Sequence, residues 1–199
     1  MTDLEFKYLE NDGFISNDVF ENEIFESVNF EKADFREIEF KNCRFLNCNF
    51  MGASFIDSVI KNCDFSNCDI SDSYFKNTKL YFCRAEGANI SQSHIKLSEF
   101  NECLFSYANF SNSAIENTSF ENTFLKEAFL SEIKLKKTVF NNCDFSGADV
   151  FKTSLKNINL SNCKIYDLKF SENMWEIRGA IINPVQSVEI VKALGVKFV

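Results

Sequence analysis

Apolar side chains recur at every fifth position over most of the chain. From Phe30 to Phe170 this spacing holds for 29 consecutive units without an insertion, and 15 of the units are centred on phenylalanine. Two residues before each centre, 24 of the 29 positions are Ala, Cys, Ser or Thr. A period of five fits neither a helix of about 3.6 residues per turn nor a two-residue strand repeat. It predicts a chain that turns one corner per unit and points the centre and the small residue inward.

The small positions indicate how many corners complete one coil. All eight cysteines lie at these positions, and six of them are separated by multiples of twenty residues. Like residues therefore stack on like residues with a period of four pentapeptides. We predict an all-β fold, a four-sided parallel β-helix in which backbone hydrogen bonds join successive coils. The predicted core ladder contains Cys43, Cys63, Cys83, Cys103, Cys143 and Cys163 together with the centres Phe45, Phe65, Phe105 and Phe145.

The repeat pattern divides the chain into three segments, with the β-helix predicted over residues 28–175. In residues 1–27 the pattern decays, because Asp18 and Glu23 occupy inward positions where an unpaired carboxylate is costly. We predict an N-terminal cap there. The side chains expected to cover the first coil are Leu4, Phe6, Leu9, Phe14 and Ile15.

The segment 176–199 has the signals of a short C-terminal α-helix. Asn183 is suited to the N-cap, Pro184 to the first helical position and Gly195 to the residue past the helix end. This helix either only covers the last coil or also forms a homodimer interface, because the tail is more apolar than one coil can cover. The residues assigned to a homodimer interface are Trp175, Ile181, Val188, Val191, Leu194, Val196 and Phe198.

The chemistry-bearing residues do not form a catalytic or metal-binding pattern. The spacing of Cys43 and Cys48 resembles that of paired zinc ligands, but every cysteine falls in the small inward register, which also accepts Ala and Thr. His94 is the only histidine, at an outward position without an orienting acid. Phosphate-loop and dinucleotide-binding motifs are lacking. We expect no enzyme activity, no metal and no cofactor.

Charge and hydropathy restrict the classes of partner and the compartment. The net charge of −8 and the pI of about 4.8 argue against direct nucleic-acid binding. Residues 1–40 hold twelve acids and three bases. We expect no signal peptide and no membrane segment, since no apolar run approaches about 18 residues. Eight cysteines without a secretory signal then indicate free thiols in the cytoplasm.

Sorting residues 18–172 by side of the rod reveals an uneven surface. Three sides carry a net charge of −3 each and the fourth +3. Leu104 and Phe124 are outward apolar residues one coil apart on the same side, which predicts a contact patch. The basic side contains Lys76, Lys96, Lys134, Lys136, Lys137 and Lys156.

Three units show a resemblance to a known family. Cys63-Asp64-Phe65-Ser66-Asn67, Cys143-Asp144-Phe145-Ser146-Gly147 and Ala108-Asn109-Phe110-Ser111-Asn112 are similar to the consensus of pentapeptide-repeat proteins. The resemblance implies a right-handed quadrilateral β-helix, in agreement with the four-sided coil predicted from the column spacing.

The ending of the chain resembles a particular group within that family. Arg178-Gly179-Ala180, the amphipathic helix and the final residues 194–199 are similar to the C-terminus of Qnr-type quinolone-resistance and microcin-immunity proteins, in their loopless form. The resemblance implies a homodimeric DNA mimic that binds DNA gyrase and topoisomerase IV and protects them from quinolones or toxins. The alternative is an interaction scaffold without a topoisomerase role. The partner surface assigned on this basis contains Asp64, Asp69, Asp72, Glu99, Glu102, Leu104 and Phe124.

Overall fold

The computed structural model describes residues 2–197, without the side chain of Phe6. The chain winds as a four-sided parallel β-solenoid that carries a short helix at each end. Every strand pairs in parallel with the strand twenty residues away, as for Phe35 with Phe55. The four-sided parallel β-helix predicted from the repeat is thereby confirmed.

Two sides of the solenoid are seven-stranded sheets. Side 1 consists of β1 (Phe14–Ser16), β4 (Asp34–Arg36), β7 (Ser54–Ile56), β9 (Tyr74–Lys76), β11 (His94–Lys96), β13 (Ala114–Glu116) and β15 (Lys134–Lys136). Side 2 consists of β2 (Val19–Glu21), β5 (Glu39–Lys41), β8 (Val59–Lys61), β10 (Lys79–Tyr81), β12 (Glu99–Asn101), β14 (Ser119–Glu121) and β16 (Val139–Asn141). In each three-residue strand the middle side chain points into the core, which places its neighbours outward.

The other two sides are held mainly by single parallel bridges between coils. Side 3 begins with β3 (Ile24–Glu26) and β6 (Arg44–Leu46) and continues through bridged residues at the same register, namely Asp64, Arg84, Leu104, Phe124, Asp144 and Lys164. Side 4 is bridged throughout, at Asn29, Asn49, Asp69, Asn89, Asn109, Phe129, Asp149 and Lys169. The twenty-residue register is therefore the same on all four sides.

Most corners depend on a residue with left-handed backbone geometry, two positions after the centre, although Asn162 does not adopt it. Asn42 and Asn62, with φ of 52° and 53°, are examples. Asn tolerates this region better than most residues, which explains why Asn recurs at that position. Its side chain also links coils, because Asn42 Nδ2 donates to Asn22 Oδ1 at 3.1 Å and Asn62 Nδ2 to Asn42 Oδ1 at 3.2 Å.

The core consists of stacked rings beside small side chains. Phe25, Phe45 and Phe65 stack face to face, with centroids 4.8 and 4.5 Å apart, and Phe50 meets Phe45 edge to face at 5.2 Å. Both arrangements are favourable for aromatic pairs. All ten residues predicted for the core ladder are buried, with exposed fractions of 7% or less.

Thiols and hydroxyls occupy the same columns because they form the same hydrogen bond. Cys68 Sγ donates to the carbonyl oxygen of Phe45 at 3.1 Å, and Thr78 Oγ1 donates to that of Phe55 at 2.7 Å. In both cases the acceptor lies 23 residues earlier, in the preceding coil. A small donor at the inward position thus connects adjacent coils in addition to the backbone ladder.

The first coil is covered by helix α1 (Asp3–Glu10). Thr2 caps this helix: Thr2 Oγ1 accepts from the Glu5 amide at 3.3 Å, and the Glu5 carboxylate accepts from the Thr2 amide at 2.6 Å. Leu4 is fully buried under the helix, and Tyr8 packs edge-on against Phe30 with centroids 5.5 Å apart. The helix therefore closes the open N-terminal end of the core.

The coil begins at β1, before the boundary expected at residue 28. An inward carboxylate is tolerated there because Lys7 of α1 reaches it: Lys7 Nζ lies 2.5 Å from Asp18 Oδ2. Of the side chains expected to cover the coil, Leu4 and Ile15 are buried. Leu9 and Phe14 are instead 63% and 46% exposed, because they lie on outward faces, and the side chain of Phe6 is outside the described part.

At the C-terminal end the coil takes in two extra residues after Phe170. The Phe145 amide donates to Lys164 O, nineteen residues ahead, whereas the Leu155 amide donates to Glu176 O, twenty-one residues ahead. The insertion forms the short 3-10 turn Trp175–Ile177. Beyond it, Ile181 still bridges to Asn159, so the solenoid extends past residue 175.

Helix α2 (Ser187–Ala193) closes the C-terminal end through polar contacts. Gln186, which is buried, donates from Nε2 to the carbonyl oxygens of Leu160 at 2.8 Å and Cys163 at 2.6 Å. Asn183 Nδ2 donates to Ser161 O at 2.6 Å. These side chains satisfy carbonyl groups that the last coil would otherwise leave unpaired.

Candidate protein-binding surfaces

A groove of mixed polarity lies on side 3, around the apolar neighbours Leu104 and Phe124. The two residues are bridged through the backbone, so their side chains stand one above the other on adjacent coils. Leu104 is half-buried and Phe124 is 45% exposed. Phe82 lines the same groove from the corner between sides 2 and 3 and is 53% exposed. The contact patch predicted from the sequence pair thus includes a third apolar residue.

The corner residues at this patch have an unfavourable backbone conformation for their type. Phe82 has φ of 57° and Tyr107, at the opposite corner of side 3, has φ of 61°. Bulky side chains rarely adopt this region. Here the turn of the coil imposes it, as at the other corners of the solenoid. Phe82 and Tyr107 are 53% and 60% exposed, so part of each ring is available to contact another molecule.

The acidic residues assigned to a partner surface are distributed over three sides. Asp64 is on side 3, Asp69 and Asp72 are on side 4, and Glu99 and Glu102 are on side 2. Of these, the structure brings only Glu102 to the groove of Leu104 and Phe124. The groove is lined by charges of both signs, Glu102 and Asp144 together with Arg84 and Lys164. The other assigned carboxylates are scattered over sides 2, 3 and 4.

Several of these carboxylates already have internal partners. Asp64 accepts a hydrogen bond from the Ser66 hydroxyl at 2.6 Å, and Asp69 accepts one from Ser71 at the same distance. Glu99 accepts from the Tyr81 hydroxyl at 3.0 Å. The contacts of Asp64 and Asp69 fix these carboxylates in place without removing their charge, whereas Glu99 is also paired with Lys79 at 3.5 Å.

The C-terminal end presents apolar side chains that the fold does not cover. Helix α2 has no buried residue. Of the residues assigned to a homodimer interface, Trp175 and Val191 are half-buried and Phe198 lies outside the described residues. The exposed fractions of the others are 51% for Ile181, 37% for Val188, 65% for Leu194 and 50% for Val196. Val185 was not assigned to the interface but is 79% exposed. Its spacing from Val188 along the helix could have placed it in the same apolar group.

All eight cysteine thiols are free and buried. Burial raises the pKa of the Cys68 thiol to about 12, so the reactive thiolate is not formed. Within residues 2–197, no three side chains among His, Cys, Asp and Glu are placed to hold a metal ion together. His94 stands at an exposed position on side 1.

Glu176 is the one buried carboxylate at the C-terminal end. Its Oε1 accepts from the backbone amides of Lys152 at 2.9 Å and Ser171 at 3.2 Å. Burial raises its pKa, but the hydrogen bonds from Ser171 and Lys152 outweigh that effect and leave the pKa below its usual value. The charged carboxylate therefore anchors the inserted turn to the last coil.

In the part of the chain that is described, no helix has the length and apolarity needed to cross a bilayer.

Comparison with protein-family models identifies the repeat along most of the chain. The model for the pentapeptide repeat region matches residues 19–80 and 54–130, and the model for pentapeptide repeats in eight copies matches residues 116–157. No curated protein matches the sequence.

Solved structures with the same fold include a plasmid-mediated fluoroquinolone resistance protein, QnrB1. A trypsin-treated variant of QnrB1 is 21% identical, with a TM-score of 0.57, over 94% of this chain and 98% of the other. Full-length QnrB1 is 21% identical, with a TM-score of 0.56, over 92% of this chain and 100% of the other. A pentapeptide repeat protein from the thylakoid lumen of Arabidopsis thaliana is 20% identical over 59% of this chain and 68% of the other, with a TM-score of 0.39. At these identities the similarity shows the fold alone.

Proposed function

We propose that this chain, which belongs to the pentapeptide-repeat family, is a non-catalytic cytoplasmic protein that binds a type II topoisomerase. In this proposal the rod mimics DNA, occupies the DNA-binding surface of gyrase or topoisomerase IV, and protects the enzyme from quinolones or gyrase-directed toxins. Fold similarity to QnrB1 along almost the whole of both chains supports it.

The observation that carries the proposal is the uncovered apolar surface at the C-terminal end. Ile181, Leu194 and Val196 are at least half exposed on a segment that is itself well anchored. Apolar surface of this kind favours contact with a second copy. Two rods joined there would form one continuous body twice as long, with the carboxylates of sides 2, 3 and 4 arranged along it.

Electrostatics decide which sides would meet the enzyme. A DNA-binding surface is basic, and complementary charge speeds and orients association. Sides 2, 3 and 4 each have a net charge of −3 and side 1 of +3. In the proposed complex side 1 therefore points away from the topoisomerase, and side 3, which is opposite to it, is at the centre of the contact.

A gyrase supercoiling assay with a fluoroquinolone tests the proposal. We expect the wild-type protein to restore supercoiling and Leu194→Asp, which places a charge in the proposed homodimer interface, to be monomeric and to lose protection. Leu97→Asp is the matched control, since Leu97 is 47% exposed at a corner of side 1, the side proposed to point away from the enzyme, and is far from the C-terminal interface. Absence of both protection and gyrase binding at micromolar wild-type protein would contradict the proposal.

The second candidate function is an interaction scaffold that binds another protein through the groove on side 3. The favourable observation is the exposed Phe82 beside Phe124. Affinity capture with the wild type and with Phe124→Ser separates the two candidates. Partners that are lost with Phe124→Ser, while gyrase protection is unchanged, would support the scaffold function. Loss of gyrase protection in the same variant would support the topoisomerase function instead.

A further inference from the structure

Side 1 of the rod carries a basic strip. The strip consists of Lys76, Lys96, Lys134, Lys136, Lys137, Lys156 and Arg178. Lys76, Lys96 and Lys136 lie in one outward column, in which Glu116 of β13 stands between Lys96 and Lys136. At about 4.8 Å per coil, the strip extends over roughly 24 Å from Lys76 to Arg178.

The basic strip continues onto the last coil, where Arg178 lies. The Asn157 amide donates to Gly179 O at 2.8 Å, and a Cβ placed on Gly179 would lie 3.2 Å from the Lys156 side chain. Arg178 therefore follows Lys156 in the stack. In this region the neighbouring carboxylates on side 1 are Glu176, which is buried, and Glu116, which is partly exposed.

The basic strip differs from the other lysines in being mostly unpaired. Among the residues described, only Lys136 in the strip has a carboxylate within 4.0 Å, namely Glu116 at 2.6 Å. Elsewhere lysines are commonly neutralised. Lys41 lies 2.9 Å from Glu39, Lys79 lies 3.5 Å from Glu99, and Lys169 lies 3.0 Å from Glu127.

Unpaired like charges on adjacent coils repel one another, and they contribute nothing to the fold. Lys134, Lys136 and Lys137 crowd three cations into one pentapeptide on an acidic protein. Such an arrangement is costly in isolation and becomes favourable when an anionic partner neutralises it.

We propose that the basic strip is a second binding surface, independent of the topoisomerase, that takes an extended acidic segment of a protein. The width of the strip selects this class of partner. A three-residue strand is about 10 Å wide, whereas the major groove of DNA alone measures about 12 Å. A duplex would overhang the flanking sides 2 and 4, both of which are negative. A single extended chain of carboxylates fits within the strip and avoids that repulsion.

Fluorescence anisotropy with a labelled decaglutamate peptide tests the basic strip. The variant Lys134→Gln, Lys137→Gln, Lys156→Gln removes three unpaired cations. The matched control Lys41→Gln, Lys79→Gln, Lys169→Gln removes the same charge from paired positions on other sides. We expect the strip variant to lose at least about tenfold in affinity and the control less than about threefold, with binding weakened by salt. Glutamine is compatible with the corner at Lys137, since Gln92 has φ of 60° at the equivalent position.

Three results would overturn the inference. These are absence of decaglutamate binding to the wild type at low salt, equal loss in the two variants, and tighter binding of duplex DNA than of decaglutamate. Thermal unfolding of both variants establishes that each is folded. Gyrase protection is measured in parallel. If the strip variant still protects gyrase, the two surfaces are separate. If the topoisomerase proposal fails, the result with the decaglutamate peptide is unaffected.

Discussion

The two ends of the rod are closed in different ways. At the N-terminus α1 inserts an apolar side chain, the fully buried Leu4, into the end of the core. At the C-terminus α2 buries none of its own residues, and the closing contacts are hydrogen bonds from Asn183 and Gln186 to backbone carbonyls. The N-terminal cap fully buries an apolar anchor. The C-terminal cap only half-buries Ile190 against the core and leaves Val185, Leu194 and Val196 exposed. The proposed homodimer would use these exposed residues, whereas Leu4 is committed to closing the core.

Removing the apolar anchor of the N-terminal cap should have the largest effect on stability. We expect Leu4→Ala to lower the free energy of unfolding by about 2–5 kcal/mol, because it leaves a cavity under α1. Leu9→Ala is the matched control on the same helix, since Leu9 is 63% exposed. Chemical denaturation followed by circular dichroism measures both. Equal effects of the two substitutions would show that α1 does not close the core.

Removing the polar anchor of the C-terminal cap should cost less. Gln186→Met keeps the length of the side chain but removes the donor that Leu160 O and Cys163 O share. We expect a loss of about 1–3 kcal/mol, the cost of leaving buried acceptors unpaired. Gln92→Met, at an exposed corner, is the matched control. Hydrogen exchange at residues 160–163 should rise in the first variant only; unchanged protection there would contradict the closing role of Gln186.

The regular part of the fold could be predicted because each unit repeats the same physical requirement. Each unit of the coil contains a small hydrogen-bond donor, an apolar centre and a corner residue that tolerates positive φ. Because these positions repeat, Cys63 and Cys83 could be placed in one column from their spacing alone. The groove of Leu104 and Phe124 followed from the same register. Phe82 did not, because it belongs to a unit of side 2 and reaches the groove only from the corner.

The two ends of the rod were harder to predict from the sequence, because their contacts join a helix to the coil instead of one coil to the next. Asp18 fits into the first coil because Lys7, from helix α1, lies beside its carboxylate, and the repeat pattern gives no sign of this partner. The capping-box pattern Thr2-Asp3-Leu4-Glu5 was the available signal for that helix. At the other end Asn183 and Gln186 exchange hydrogen bonds of 2.7 and 3.0 Å, which agrees with a helical turn starting there. Burial of Glu176 depends on the two-residue insertion, which the repeat does not encode.

The smallest of the expected effects concerns Glu23, the other carboxylate at an inward position near the N-terminus. Burial raises its pKa above the ordinary value of 4.5, and the charge of Asp3 adds to this. The folded protein therefore holds this proton more tightly than the unfolded chain, so ionised Glu23 reduces stability above that pH. We expect Glu23→Gln to raise the urea midpoint slightly at neutral pH, and this gain to disappear as the pH falls below 4.5. Glu21→Gln, on the exposed face of β2, controls for the loss of one charge. A gain that is the same at all pH values would mean that ionisation of Glu23 has no part in the stability of the N-terminal end.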